Sequence, residues 1–184
     1  MFHHSYGGFS IMSELRTNRI IPRDGLPSGS AGGIIQLKSV THTEMESQAL
    51  TGVANFFDIA GMTLTITPHR ADSKIFVMTT VAVSCNNGNR NTHIRLKRDS
   101  SAIAIGTEGS QTNSSFFLKT RDNFSPHNIS VQFLDSPAST SAVTYKVQWS
   151  GENSDTFYLN RNASSSYGQN EGMVSTLTLM EVSG

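Results

Sequence analysis

The chain has 184 residues, with 14 Lys and Arg balancing 14 Asp and Glu, a formal net charge of +0 at pH 7 and a pI near 7.0. That balance argues against a nucleic-acid partner, which would draw on a clear basic excess or stripe, and no apolar run approaches the roughly 20 residues of a membrane helix. Only 36% of residues are apolar and 15% charged; most of the rest are Ser, Thr, Asn and Gly, which suit strands and turns and exclude a helical bundle.

Residues 1–12, MFHHSYGGFSIM, show no pattern and read as an extra leader. They have neither a basic start nor a continuous apolar core, so no secretion signal is expected. His3 and His4 have no third ligand beside them and do not read as a metal site. Residues 13–33 form an extended arm. Pro22 and Pro27 fix φ and remove donors, while Gly25, Gly29, Gly32 and Gly33 permit shapes that other residues avoid. Leu15, Ile20 and Ile21 are spaced apolar anchors that a solvated tail would not need. The arm is therefore expected to become ordered against another surface.

From residue 34 the apolar period is two, and strands are expected at 34–40, 61–68, 74–85, 93–98, 102–106, 115–119, 128–135, 143–149, 156–160 and 174–182. THTEMESQALTG (41–52) reads as a strand with a polar loop. In GMTLTITP, Met62, Leu64 and Ile66 share a face. In KIFVMTTVAVSC, Ile75, Val77, Val81, Val83 and Cys85 point inward, but Phe76, Met78 and Ala82 make the second face apolar as well, so a second layer or another subunit should cover it. Cys85 reads as a small buried apolar residue; as the single cysteine it excludes an internal disulfide. In HIRLKR, His93, Arg95 and Lys97 share one face, either a solvated surface or a contact for an acidic neighbour or anionic glycan. In VTYKVQW, Val143, Tyr145, Val147 and Trp149 point inward. Turns are expected at CNNGNRN, DSPASTS and GENSD. Strands at this spacing without helices define an all-β, antiparallel sandwich, with a jelly roll as the expected form.

Residues that could carry chemistry are few. No nucleophile elbow, Walker loop or metal-spaced histidine motif occurs, so no enzyme activity, cofactor or metal is expected. Asp122, Asp135, Glu152 and Asp155 lie near expected loops and could pair as a glycosidase requires, although acids in turns are commonplace. The loop YLNRNASSSYGQNEG gathers Tyr158, Asn160, Arg161, Asn162, Tyr167 and Gln169. Aromatic rings beside amides and an arginine suit a sugar site, and the same residues equally suit a long Ser-rich connection.

ELRTNRIIPRDGLPSGSAGGIIQLKSV (14–40) resembles the N-terminal segment of virion structural proteins from tailed phages, notably marine cyanophages. GMTLTITPHRADSKIFVMTTV, FLDSPASTSAVTYKVQW and the closing STLTLMEVSG are similar to that family in the same order, so that the resemblance spans residues 13–184. It implies a β-sandwich head at 34–184, a homotrimer, and an N-terminal docking arm at 1–33 in which Leu15, Arg16, Asn18, Ile20, Ile21, Pro22 and Arg23 meet another virion protein of the tail or capsid. Phe76, Met78, Phe116 and Phe117 are then the expected subunit interface. The family carries no catalytic motif, and the chain lacks a repetitive shaft, which favours a compact appendage on the virion surface, assembled in the host cytoplasm. A capsid decoration protein and a head that binds a host polysaccharide are the alternatives, and a depolymerase is a third class.

Overall fold

The structure is a computed structural model that describes residues 33–107, 112–121, 125–163 and 171–184. The docking-arm residues Leu15 to Arg23, and Tyr167, Gln169 and Asp122, lie outside the described residues. Among the described residues nine strands are formed: β1 (Ile34–His42), β2 (Glu46–Ile66), β3 (Lys74–Cys85), β4 (Asn91–Arg98), β5 (Ser101–Ile103), β6 (Phe116–Lys119), β7 (His127–Asp135), β8 (Val143–Leu159) and β9 (Ser175–Val182). Every pairing is antiparallel. The all-β, sandwich-like fold expected from the two-residue period is the fold found.

Hydrogen bonding divides the strands into two groups. One runs β1-β9-β3-β7, and the other places β8 between β2 and β4, with β5 and β6 on the far edge of β4. The groups join where Val83–Cys85 of β3 pairs with Phe157–Leu159 of β8. A single core fills the space between them. Val77, Val81, Val83, Leu177, Leu179 and Ile129 come from one side, and Met62, Ile66, Ile94, Leu96, Tyr145, Val147 and Trp149 from the other. Alternation along β3, β9 and the first half of β8 produces this directly: in β9 Leu177 and Leu179 are buried while Thr176, Thr178 and Met180 are half-buried on the opposite face. Cys85 is buried, and desolvation pushes its thiol upward, so it behaves as an apolar core residue.

Two expectations about chain path are corrected. GENSD is not a turn between two strands. β8 runs unbroken through it, bending at Ser154 (φ 57), because β2 follows it along its length with Gly52 opposite Gly151. Gly151 is required there, since a Cβ would run into the Phe157 ring that the bend brings over it. β5 is also shorter than AIAIG: it ends at Ile103, where Ala104 takes φ 53.

Two buried acids on the inner face, Glu181 and Asp135, each have several partners. Glu181 has no exposed side-chain surface; it accepts from Gln36 Nε2 (2.6 Å) and from the His69 backbone N–H (2.7 Å), and lies 3.0 Å from His69 Nδ1. Burial alone would raise its carboxyl, but these hydrogen bonds outweigh it and hold the group below its ordinary range. The cluster ties the β2–β3 connection to β1 and β9. Asp135 accepts from Arg98 Nη1 (2.9 Å) and from the buried Tyr145 hydroxyl (2.7 Å), which locks β4, β7 and β8 together.

The expected subunit-interface residues do not form one patch. Phe76 and Met78 lie on β3 among its partners β7 and β9, whereas Phe116 and Phe117 lie on β6, which pairs with β4. Register instead aligns Leu37, Met180, Phe76 and Leu134 as one apolar row across the outside of all four strands of the first group. Leu37 is 56% and Leu134 52% exposed. Sequence alone does not align this row, because it depends on strand register.

A candidate binding groove over the fourth strand

The outer face of the second group is built around β4. Ile94 and Leu96 point into the core, so His93, Arg95 and Lys97 face outward, as their alternation requires. The neighbouring β8 presents Gln148 opposite Arg95, and β2 presents Asp58 opposite Gln148. A ladder results. Arg95 donates through Nε (3.0 Å) and Nη2 (2.7 Å) to Gln148 Oε1, and Gln148 Nε2 donates to Asp58 Oδ1 (2.6 Å). Lys146 Nζ closes it on Asp58 Oδ2 at 2.8 Å, the strongest of the contacts that lower the Asp58 carboxyl.

A β-bulge turns this ladder into a groove. β2 pairs Gly52 with Gly151 and next Phe57 with Trp149, so Val53–Phe56 face only Ser150 and loop over the outer surface. The Ser150 hydroxyl donates to the Val53 carbonyl (2.7 Å), and Ser150 is buried although it faces away from the core. The bulge places the Phe56 ring on the Arg95 guanidinium, 3.7 Å from its carbon to the ring centroid. This is a cation–π contact that fixes the long side chain.

The opposite wall comes from residues 112–117. Ser114 Oγ lies 3.1 Å from His93 Nδ1, and the Phe117 ring sits 5.0 Å from the imidazole at 48°. His93 is therefore buried, which corrects the expectation of a solvated residue there. Burial lowers its proton affinity, so the ring is neutral at pH 7. Two adjoining hollows open between the walls. One, of about 530 Å³, is lined by Val53, Ala54, Phe56, Arg95, Ile105, Thr112 and Asn113. The other, of about 500 Å³, is lined by Val53, Asn91, His93, Thr112, Ser114 and Phe117. They share Val53 and Thr112, and each falls in the size range of small-molecule sites.

The aromatic loop expected to bind sugar fares differently. Asn160 is a structural residue. It is buried, donates through Nδ2 to the carbonyls of His42 (2.8 Å) and Glu44 (3.0 Å), and accepts from Ser175 Oγ (2.7 Å), leaving nothing for a ligand. Arg161 packs 4.8 Å above the Tyr158 ring and donates Nε to the Asn162 carbonyl (3.0 Å), so Tyr158, Arg161 and Asn162 do come together.

The three expected acids among the described residues are engaged in the fold. Asp135 is held by Arg98 and Tyr145. Glu152 accepts from the backbone N–H (3.1 Å) and Nδ2 (2.9 Å) of Asn91, and Asp155 pairs with Arg90 and Asn87. Among the described residues no three His, Cys, Asp or Glu side chains are grouped as metal ligands, and no helix is long and apolar enough to cross a membrane. No protein-family model matches the chain, and no curated protein is significantly similar to it.

Proposed function

We propose that the chain is a non-enzymatic structural protein of a phage particle, a tail-fibre-like or appendage protein that docks through its N-terminal arm, residues 1–33. The observation that supports this best is where arm and head meet. Among the described residues β1 pairs as a strand only with β9, and Ile34 opens it. The preceding segment therefore joins the head at an edge strand, where a docked arm leaves the core undisturbed. The order of motifs shared with phage virion proteins supplies the rest of the reading.

In this reading the chain is a homotrimer whose copies meet on the row Leu37, Met180, Phe76 and Leu134. Uncharged and contiguous, with Leu37 and Leu134 more than half exposed at its ends, such a row is what soluble proteins cover. Light scattering during size exclusion should give three copies for the full chain and one for the Phe76→Lys, Leu134→Lys double variant. A monomeric full chain at micromolar concentration would remove the trimer from the reading.

The test of the whole is cryo-electron microscopy of the intact particle, with a second particle assembled from chain lacking residues 1–33. Density at the tail that disappears with the arm supports an appendage. Density spread over the capsid lattice makes the chain a decoration protein, and absence from both particles overturns the reading.

A further inference from the structure

Arg95 stands apart from most other half-buried cations of the head. Arg90 pairs with Asp155 and Arg98 with Asp135, whereas no carboxylate lies within ion-pair distance of Arg95 among the described residues. Its nearest acid in the ladder, Asp58, is reached only through Gln148 and is already held by Lys146. Three groups of the guanidinium edge remain available, since only Nε and Nη2 donate, both to one oxygen. A partly desolvated positive charge without a counter-charge is unfavourable until an anion reaches it.

The walls around that charge are those of a ligand site. Among the described residues no carboxylate lines either hollow. Asn113 and Thr112 offer an amide and a hydroxyl beside Arg95. About two residues away along β4, or roughly 7 Å at the rise of a strand, His93 presents Nε2 with no hydrogen bond in the described residues. Phe117 stands next to it, 51% exposed and braced by the imidazole. An anion-seeking guanidinium at one end, an open aromatic face at the other and neutral donors and acceptors between them make a specific demand. The ligand must carry an acid, a flat apolar face and several hydroxyls.

We infer that the groove between the Val53–Phe56 bulge and residues 112–117 binds an acidic oligosaccharide, its carboxylate on Arg95 and a neighbouring sugar ring on Phe117. Arg95 Nη1 donates to the carboxylate, and Phe56 holds the guanidinium from behind so that little side-chain freedom is lost on binding. His93, neutral, exchanges hydrogen bonds with a hydroxyl while Ser114 fixes its other nitrogen. The two hollows together accommodate about two sugar units, so affinity should rise from a monosaccharide to a disaccharide and level off after that. The site is independent of whether the chain belongs to a virion, and it is distinct from the Tyr158–Arg161 pair.

The test is saturation-transfer NMR and calorimetry on the full chain, with tetragalacturonate and sialyllactose as acidic probes and maltotetraose and lactose as neutral ones. The acidic probes should bind at least about tenfold more tightly than the neutral ones, a difference of about 1.4 kcal/mol. Arg95→Gln and Phe117→Ala should each weaken that binding by about tenfold or more, and Arg95→Lys by less than Arg95→Gln. Arg161→Gln should leave it unchanged. Because Arg95 also braces Gln148, each variant's melting temperature is measured alongside. Phe117→Ala, at a half-exposed ring, serves as the variant that keeps the fold. Equal binding of neutral and acidic probes, binding of none of the four, or loss with Arg161→Gln but not with Arg95→Gln and Phe117→Ala would each overturn the inference.

Discussion

Asn160→Ala should destabilise the head far more than the loss of one exposed amide would. Three hydrogen bonds disappear together: two from Nδ2 to the carbonyls of His42 and Glu44, and one from Ser175 Oγ to Oδ1. Removing one partner from a buried hydrogen bond costs about 1–3 kcal/mol, toward the low end where water enters. The backbone adds to this, because Asn160 sits at φ 57, a conformation that asparagine tolerates better than alanine. The sum is about 3–5 kcal/mol, a large share of the roughly 5–15 kcal/mol of an ordinary domain. For a chain of this size that lowers the melting temperature by about 10 °C or more. Urea denaturation followed by Trp149 fluorescence reads the change directly. Ser175→Ala, which also removes the acceptor for the Ala82 backbone N–H (3.1 Å), should be destabilising on its own. The double variant should then be less destabilised than the two singles added together. An Asn160→Ala protein within about 1 kcal/mol of the wild type would refute the reasoning and return this amide to the list of ligand-binding candidates.

Three further outcomes follow from the buried polar groups. Because the folded Glu181 carboxyl titrates below its ordinary range, it contributes stability above that range that is lost as pH falls through the folded value. Wild type should therefore lose its advantage over Glu181→Gln as thermal melts move from pH 6 toward pH 3, and a constant difference across that interval would contradict the assignment. Tyr145→Phe removes one hydrogen bond to Asp135 and should lower stability by about 1–2 kcal/mol. Asp135→Ala leaves Tyr145 unpaired and Arg98 without its carboxylate and should lower stability by about 3 kcal/mol in the same denaturation assay, so a smaller loss than that of Tyr145→Phe would refute the hub.

What the sequence revealed depended on whether burial followed a simple period. VTYKVQW alternates cleanly and KIFVMTTVAVSC keeps Ile75, Val77, Val81, Val83 and Cys85 on one face, and these inward residues belong to the core of the head. β2 was legible at its end, GMTLTI, and in part over 41–52, but not between. It carries three register shifts, the last between Asp58 and Thr63, and in a bulged strand the residues that face inward no longer fall at every second position. Ile59 and Met62 are both buried, three apart, for that reason. The same bulge forms one wall of the groove, so the site was hidden by the irregularity that creates it. Arg95 and His93 were noticed as one face, but Phe56 and Phe117 are distant in sequence and meet that face only through register. Asn160 misled for another reason: an amide that caps backbone carbonyls and one that holds a sugar hydroxyl are the same residue type. Glu181 sits in an unremarkable LMEVSG, and no local pattern indicates that its carboxylate is enclosed.

The pairing of Ile34 with Val182 has a mechanical consequence. β1 and β9 run in opposite directions, so tension arriving through Gly33 along the axis of β1 loads its ladder of hydrogen bonds in parallel. They must slip together or not at all. Tension between Gly33 and Ser183 instead opens the same ladder from one end, and the bonds yield in turn. A head held by the segment before Gly33 is thus strongest when it is dragged lengthwise along its first strand, and weakest when it is peeled from the end where its first and last strands meet.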